Sequence, residues 1–385
     1  MLMLTNFSVR RPQFELPQQR ALRWLSELHS TAEATLMGWS GPERAAFAAR
    51  FDKLVERCAC GPDRIGKRGH VTADLGSRDR LDLYDVRRFP RGQGSAARSS
   101  VFTEVVNGYF EQEFATVERA PSELIHVTCT GYVSPSGAQR MVANKGWGAS
   151  THVTHAYHMG CYAALPAILI AAGHLGVPAS LRPENAEQRV DIVHTELCTL
   201  HLDPSDHSAE QCVVQSLFAD GFVRYSLTQP GATAAEPGLE VLAVSEQILP
   251  NSAASMAWAV GDFGMHMSLL RDVPDRIASA LRPFVSALFA KAGLNVAEEL
   301  RHAVVAVHPG GPKIIERVRE MLELTPAQVQ ASRDVLFEYG NMSSATLPHV
   351  WQRLLLDDAI RPGALVLSLA FGPGLTVCGG LFRKH

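Results

Sequence analysis

The sequence predicts an α/β fold, because stretches typical of strands alternate with stretches typical of helices along its 385 residues. Hydrophobic residues make up 46% of the chain and charged residues 19%, as in globular proteins with a large core. The chain is also longer than the roughly 250–300 residues at which a single core stops growing. We therefore expect either two domains or one large duplicated domain.

The first part of the chain is predicted to begin with helices and to continue into buried strands. Residues 16–29 and 41–58 carry apolar residues at steps of three and four, as amphipathic helices do. Residues 85–100 are rich in Arg, Gly and Ser and are predicted to form a loop. Strands are expected at 123–131, where the strand runs into a glycine turn, and at 190–200 and 211–227.

The second part of the chain repeats this alternation. Residues 231–238, GATAAEPG, are the best candidate for a surface turn between two halves. The elements expected after that turn are strand 240–249, helix 273–293, strand 301–308, helix 312–322, and the strand pair 364–372 and 375–383.

Charge and apolar patterning exclude several classes of protein. A net charge of −3 lacks the basic character typical of nucleic-acid binding. Runs of the ~20 apolar residues needed for a membrane span are absent from the sequence, and its start lacks the apolar core of a signal peptide. The seven cysteines are scattered and odd in number, which favours reduced thiols over a disulfide framework. We therefore expect a cytoplasmic protein.

Two short segments resemble each other and suggest an internal duplication. CYAALP at 161–166 and SSATLP at 343–348 share three identities, and each follows a polar turn and leads into an apolar stretch. Two similar halves would explain this similarity, and so would chance resemblance between two apolar helix starts.

Cys161 has the sequence environment of a nucleophile. The residues that follow it are apolar on all sides for about three helical turns, which is typical of a helix buried in a large core. Gly160 allows a tight turn just before that helix. A thiol beside the positive end of a helix dipole is expected to favour the thiolate.

The same segment also raises the alternative of a metal site. His152, His155, His158 and Cys161 follow one another at steps of three. The segment is a poor helix and a fair strand, and in a strand a step of three alternates between faces. The common zinc spacings, CxxC pairs and HExxH, are absent. A third reading is three ordinary histidines near a buried cysteine.

Two further turns carry candidate partners for the cysteine. His308 ends an apolar strand and enters a glycine-proline turn, and Asn341 lies in a turn ahead of a helix. The end of a strand is where α/β proteins present functional groups. A cysteine, a histidine and an asparagine form a known nucleophilic combination.

At this point the sequence resembles the chalcone synthase-like type III polyketide synthases. The resemblance is carried by HMGCYAA, VHPGGPKI, YGNMSSAT and FGPGLTV in that order, with LFADG, LLRDVP and the CTG turn, over nearly the whole chain. It implies the thiolase fold, with two halves in an αβαβα arrangement, here 1–235 and 236–385, and a homodimer.

The resemblance implies a role for each of the three residues. Cys161 would carry the acyl group, and His308 would keep it as thiolate and donate to the thioester oxygen. Asn341 would be the second donor. A malonyl-type or β-keto unit would then form an enolate and attack the Cys161 thioester, making a carbon–carbon bond.

Other positions are assigned to the cavity by the same resemblance. Phe218 and Met267 would be the two gate residues between the cavity and its access tunnel, although core packing alone would also suit them. The remaining cavity residues implied are Thr130, Cys198, His201, Ser343, Gly372, Pro373 and Gly374.

The mouth of the tunnel is expected to attract phosphate from coenzyme A or from the phosphopantetheine arm of an acyl carrier protein. Arg64, Lys67 and Arg68 match the basic patch of the family, and a solvated charged face is the alternative. The arginines of the 85–100 loop would extend the patch toward an acidic carrier protein: Arg87, Arg88, Arg91 and Arg98. A permanently bound cofactor is not expected.

The resemblance therefore predicts an acyltransferase that joins acyl thioesters by Claisen condensation, with an α-pyrone or related ring as product in bacterial secondary metabolism. One version extends a coenzyme A starter with malonyl-CoA. The other fuses two carrier-bound β-keto chains. A metal-binding protein and a non-catalytic relative are the remaining alternatives.

Overall fold

The computed structural model describes residues 1–77, 81–184, 186–229, 237–270 and 272–385. Within these ranges the α-helices are α1 (Gln18–Met37), α2 (Pro42–Cys58), α3 (Ser95–Glu113), α4 (Gly137–Asn144), α5 (Ala164–Gly176), α6 (Ala209–Leu217), α7 (Val273–Lys291), α8 (Val296–Glu299), α9 (Pro312–Met321), α10 (Gln330–Tyr339) and α11 (Thr346–Leu356). The strands are β1 (Met3–Arg10), β2 (Phe14–Pro17), β3 (Lys67–His70), β4 (Pro121–Thr128), β5 (His152–Tyr157), β6 (Glu187–Leu197), β7 (Asp220–Thr228), β8 (Leu239–Ile248), β9 (Met256–Gly261), β10 (Gly264–Leu269), β11 (Val304–Val307), β12 (Leu365–Gly372) and β13 (Thr376–Lys384).

The main sheet consists of two similar halves joined at their edges. Its order is β11-β12-β13-β8-β1-β7-β6-β4-β5, and β1 meets β8 through Met3↔Glu240 and Leu4↔Leu239. In the first half β4 is parallel to β6, and β6, β7 and β1 follow antiparallel. In the second half β11 is parallel to β12, and β12, β13 and β8 follow antiparallel. The same pattern of pairing therefore occurs twice.

Helices α5 and α11 occupy equivalent positions in the two halves. Helix α5 follows the turn that contains Cys161, and α11 follows the turn that contains Asn341. The next β-strand along the chain is β6 after α5 and β12 after α11. One apolar cluster contains residues of α5, of α11 and of strands from both halves, whereas two further clusters lie on the outer faces. The layers are therefore α/β/α/β/α, with α5 and α11 in the middle, and duplication explains the similarity of 161–166 to 343–348.

Several predicted elements differ from the structure. Residues 211–227 do not form one strand, because Ser208 caps α6 by accepting a hydrogen bond from the Gln211 N–H, and β7 begins only at Asp220. The loop expected at 85–100 ends early, since α3 begins at Ser95. The expected boundary between 235 and 236, like most of the 231–238 turn, lies outside the described residues.

Among the described helices, none combines the length and the apolar character that crossing a membrane requires.

Candidate active site

Cys161 lies at the head of the central helix α5, inside the protein. The chain turns at Gly160, whose φ of +83° is costly for residues with a side chain. A Cβ at this position would also lie 2.7 Å from Cδ of Pro373. Cys161 itself is 7% exposed. The turn therefore presents the thiol to the interior, at the junction of β5 and α5.

Burial opposes the resting thiolate expected at Cys161. Burial raises the pKa of Cys161 to about 12, and the negative charge of Glu196 adds to that effect. Hydrogen bonding to Ser343, 3.8 Å from the sulfur, and to Asn341 opposes the rise in pKa without cancelling it. Helix α5 begins only at Ala164, so its dipole does not outweigh the loss of solvent. The thiol is therefore protonated at neutral pH.

His308 is a neutral imidazole with both ring nitrogens available. It follows β11, and its backbone N–H donates to the Leu369 carbonyl at 2.7 Å. Burial lowers the pKa of His308 to about 3. Neither Nδ1 nor Nε2 has a hydrogen-bond partner among the residues that the structure describes. A buried ring in this state can accept a proton at one nitrogen and donate from the other.

Asn341 is held in place by its backbone and by its side-chain oxygen. Its N–H donates to the Leu217 carbonyl at 3.0 Å, and its carbonyl accepts from the Ala219 N–H at 2.8 Å. Its Oδ1 accepts from the Ser343 N–H at 2.9 Å. Because Oδ1 is engaged, the Nδ2 amide is the end left to act as a donor toward Cys161.

One cavity of about 730 Å³ brings these three residues together. Its wall includes Cys161, His308 and Asn341. The rest of the wall is mainly apolar and includes Val213, Leu217, Met256, Leu269, Val273, Ile277 and Phe371. We call this space the outer cavity. An apolar wall with a few polar groups at one end suits an acyl chain whose reactive end lies at Cys161.

A second, much smaller space lies beyond the gate residues, and we call it the inner cavity. Its volume is about 30 Å³, enough for about one water molecule. Phe218, Met267 and Cys161 line both cavities, so the two predicted gate residues stand between them. The inner wall also includes the predicted residues Cys198, His201, Ser343 and Pro373.

Trp258 lines the inner cavity and reduces its volume. The sequence analysis does not identify this residue. Its Nε1–H donates to the Cys129 carbonyl at 2.6 Å, and its ring meets the His201 ring edge-on at 5.8 Å. His201 is itself fixed, because one ring nitrogen bonds the Thr130 carbonyl at 2.8 Å and the other accepts from the Met265 N–H at 3.1 Å. The wall is therefore rigid on this side.

Thr130 does not line the inner cavity, which corrects its predicted role. Its hydroxyl donates to Glu196 at 3.1 Å and accepts from the Leu197 N–H at 2.9 Å. Cys129 lies on the cavity wall instead, with its sulfur 3.0 Å from the Ser343 hydroxyl.

Glu196 connects these groups from behind the wall. It is fully buried, and its carboxylate accepts from the Cys129 N–H at 3.0 Å and from the Ser344 hydroxyl. Burial raises its pKa above the ordinary value. The sequence did contain a signal for it, because carboxylates in a strand predicted to be buried, here Asp191 and Glu196 in 190–200, require buried partners.

Gly372 and Gly374 also lie outside the cavity walls. A Cβ on Gly372 would come within 2.3 Å of the Tyr162 ring, so the absence of a side chain lets Tyr162 pack beside Cys161. Gly374 has a φ of +113° and shapes the turn after Pro373. These glycines support the wall rather than form it.

The prediction that Arg68 contacts phosphate is wrong. Arg68 is 3% exposed, and it donates to Gln18 Oε1 at 2.8 Å and to the carbonyls of Gln215 and Phe218 at 2.9 and 2.6 Å. The same correction applies to Arg98, which is 1% exposed and donates to the carbonyls of Leu200 and Leu202. Buried guanidinium groups with these partners cannot reach a phosphate in solvent.

The other predicted cations lie on the surface. Arg64 pairs with Asp63 at 3.0 Å, and Lys67 pairs with Glu15 at 2.8 Å. Arg91 pairs with Asp203 at 3.7 Å, while Arg87 and Arg88 are exposed.

Two cations that the sequence reasoning missed line the outer cavity directly. They are Arg57, in the last turn of α2, and Lys313, in the first turn of α9. Arg64 and Lys313 line a neighbouring surface pocket together. The first turn of a helix adds its own positive potential to that of the lysine. This rim therefore places positive charge on the wall of the same cavity as Cys161.

The four residues of the metal alternative do not converge. His155 Nε2 bonds the Ser136 hydroxyl at 2.8 Å, and His158 Nε2 donates to the Trp258 carbonyl at 2.8 Å. Only His152 belongs to a group of potential metal ligands, with partners outside the segment. Cys58 and Cys60 also belong to no such group among the described residues.

Comparison with known proteins shows which proteins this chain is similar to. Residues 240–384 match the family "Chalcone and stilbene synthases, C-terminal domain". Type III polyketide synthase C of Arabidopsis thaliana is 28% identical over 68% of this chain and 67% of its own length. The chain is therefore similar to the type III polyketide synthases. This similarity is the basis of the activity proposed below.

A further relative is much longer than this chain. Probable polyketide synthase 1 of Dictyostelium discoideum is 30% identical over 69% of the chain, and the match spans 8% of that protein.

Solved structures agree with the family in fold. The C-terminal type III polyketide synthase domain of a Dictyostelium type I/III hybrid superposes with a TM-score of 0.81 at 23% identity, covering 100% of this chain and 99% of that one. 1,3,6,8-Tetrahydroxynaphthalene synthase from Streptomyces coelicolor gives 0.77 at 22% identity, covering 100% and 99%. The chain therefore has the thiolase-like fold that the sequence predicts.

Proposed function

We propose that this type III polyketide synthase homologue joins acyl thioesters by Claisen condensation through an acyl group on Cys161, and releases an α-pyrone. The observation that carries the proposal is the shared outer cavity, which exposes a thiol, a neutral imidazole and an amide to one apolar space. Such a set can bind a thioester, form an acyl-enzyme and stabilise an enolate without a metal or a carboxylate base.

The first step is transfer of an acyl group to Cys161. Because the thiol and the imidazole are both neutral at rest, the proton moves from sulfur to a free ring nitrogen of His308 as the sulfur attacks the thioester. A carbon–sulfur bond forms to Cys161, and the bond to the carrier thiol breaks. The departing thiolate takes the proton back from His308, which returns the ring to its neutral form.

The second step forms the carbon–carbon bond. A malonyl-type thioester loses carbon dioxide and leaves an enolate, whose oxygen accepts hydrogen bonds from His308 and from the Asn341 amide. Donors placed in this way contribute on the order of 3 kcal/mol each in enzymes that stabilise oxyanions. The enolate carbon attacks the Cys161 thioester, and the Cys161 thiolate leaves. Burial of the site excludes water, which protects the acyl group from hydrolysis.

The small inner cavity supports a short product. A space of about 30 Å³ cannot hold a growing ketide, so intermediates remain in the outer cavity next to the thiol. Few condensations fit there beside a starter chain, and a six-membered lactone is the simplest ring that a short β-keto chain closes. The α-pyrone is proposed on this basis, and a role in secondary metabolism is proposed from the resemblance alone.

We assign phosphate binding to the rim formed by Arg57 and Lys313, with Arg64 nearby. The phosphate belongs to coenzyme A in the simplest version, and to the pantetheine arm of an acyl carrier protein in the other. A homodimer and a cytoplasmic location are proposed from the resemblance, and light scattering of the purified protein tests the dimer.

The test compares two substrate mixtures on purified protein. One contains an acyl-CoA with malonyl-CoA, and the other contains β-ketoacyl thioesters on a carrier protein. Mass spectrometry should find an acyl adduct on Cys161 and an α-pyrone product from the first mixture. Product only from the second mixture would instead support fusion of two carrier-bound chains.

Matched cysteine variants complete the test. Cys161→Ala should abolish both the adduct and the product, whereas Cys378→Ala, which changes a cysteine buried in β13, should keep both. An unmodified Cys161 with every thioester would refute the proposal and favour a non-catalytic relative.

A further inference from the structure

Three potential metal ligands meet at the end of α5 opposite to Cys161. Glu123 lies on β4, His152 begins β5, and His174 lies in the last turn of α5. Glu123 and His152 are direct neighbours in the parallel pairing of β4 with β5. One ligand atom from each of the three residues lies within 4.8 Å of the other two. Residues distant in sequence therefore place a carboxylate and two imidazoles around one point.

Glu123 is buried and His174 is half-buried, and each has a buried polar atom left without a partner. Glu123 is 3% exposed, and its Oε2 accepts from His174 Nδ1 at 2.7 Å. Its other oxygen, Oε1, and the Nε2 of His174 have no hydrogen-bond partner within the described part of the chain. Buried polar atoms in native proteins are nearly always paired, and a bound cation would satisfy a carboxylate oxygen or an imidazole nitrogen that this group leaves unpaired.

One cation, Arg182, acts electrostatically on His174. Its guanidinium donates to the carbonyls of Val177 and Leu175 at 2.9 and 2.8 Å and is therefore already engaged by backbone oxygens. His152 is exposed and keeps the group open to solvent.

We propose that Glu123, His152 and His174 bind a divalent transition-metal ion, with Zn²⁺ as the preferred ion. Two imidazoles and one carboxylate match the ligand types that Zn²⁺ takes, and a water molecule would complete a tetrahedron. The ion would connect β4, β5 and the end of α5, far from the thiol. The site therefore contributes to stability and is independent of the proposed condensation.

Zinc binding to the purified full-length chain tests this assignment. After treatment with a chelator and dialysis, isothermal titration with Zn²⁺ should show one ion per chain for the wild type. His152→Ala and Glu123→Gln should weaken binding about tenfold or more, as loss of metal-site groups does. His155→Ala is the matched control, since it changes another exposed histidine of β5 whose partner is Ser136.

Two further readouts separate this site from the cysteines. Zn²⁺ should raise the melting temperature of the wild type and of His155→Ala, but not that of His152→Ala. Co²⁺ should give the absorption of a tetrahedral site without the charge-transfer band of a thiolate ligand. Absence of binding in the wild type, unchanged binding in His152→Ala, or a thiolate band would each overturn the proposal.

Discussion

Arg68 offers a sharp test of the structure, because sequence and structure assign it opposite roles. As a phosphate ligand it would be exposed and replaceable by another cation. In the structure it is buried, and its guanidinium connects Gln18 with the carbonyls of Gln215 and Phe218. Burial lowers its pKa to about 10, so the group is still charged at pH 7. The substitution Arg68→Met keeps much of the side-chain volume and removes all of its donors.

The loss of stability in Arg68→Met follows from three acceptors that lose their donor: Gln18 Oε1 and the carbonyls of Gln215 and Phe218. Leaving a buried acceptor unpaired costs about 1–2 kcal/mol, so the free energy of unfolding should fall by about 3–6 kcal/mol. At about 2 °C per kcal/mol, the melting temperature should drop by roughly 6–12 °C. Arg68→Lys should recover little of this loss, because an ammonium cannot reach the acceptors that the planar guanidinium joins.

Thermal unfolding and steady-state kinetics together decide between the two roles. For the unfolding measurement Arg64→Ala is the matched control, since Arg64 is exposed and pairs with Asp63 on the surface, a contact worth about 0–1 kcal/mol. A melting temperature unchanged by Arg68→Met, with a raised KM for the coenzyme A thioester, would refute the structural role. Full activity of Arg68→Lys with unchanged stability would refute it as well.

Three further predictions concern the site itself. Burial raises the pKa of Cys161 to about 12, so the thiolate fraction should rise about tenfold per pH unit from pH 6 to 9. The rate of alkylation of Cys161 by iodoacetamide should rise by the same factor. A plateau of that rate near neutral pH would instead indicate a resting ion pair. Trp258→Ala should enlarge the inner cavity and lengthen the products seen by mass spectrometry, with Trp258→Phe changing them less; identical products in both would contradict the cavity argument. Lys313→Ala and Arg57→Ala should each raise KM for a coenzyme A thioester about tenfold at constant kcat, because each removes one charge-assisted hydrogen bond of about 1.5 kcal/mol. An increase in KM that is equal at low and at high salt would argue against contact with phosphate.

The sequence predicts the fold well where periodicity is strong. The amphipathic helices α1, α2, α7 and α9 and the apolar strands β4, β6 and β12 lie close to their expected positions. It fails at 211–227, because Val213, Val214 and Leu217 suit a strand as well as a helix and the deciding group is the Ser208 cap. It also fails at α3, since an Arg- and Ser-rich start conceals a helix whose Arg98 is buried.

For the site, residue types are more predictable than their surroundings. Short motifs lead to Cys161, His308 and Asn341, and the structure places all three on one cavity. Protonation is not predictable in this way, because the pKa of Cys161 depends on burial by residues far along the chain. The exposure of a side chain is not predictable in this way either. Arg64 and Arg68 are four positions apart in one basic run, and only Arg64 of the two reaches solvent.

The isolated β-bridge between Phe218 and Asn341 limits how the two gate residues, Phe218 and Met267, can move apart. Phe218 follows α6, its carbonyl is held by Arg68, and the residues beside it bond Asn341 from both sides. On the other side, the Met267 carbonyl accepts from Gln211 Nε2 at 2.7 Å. Because hydrogen bonds hold the backbones of Phe218 and Met267, the gate opens by rotation of side chains alone, chiefly of the flexible Met267. Such rotations need none of the loop or domain closure that takes microseconds to milliseconds in other enzymes.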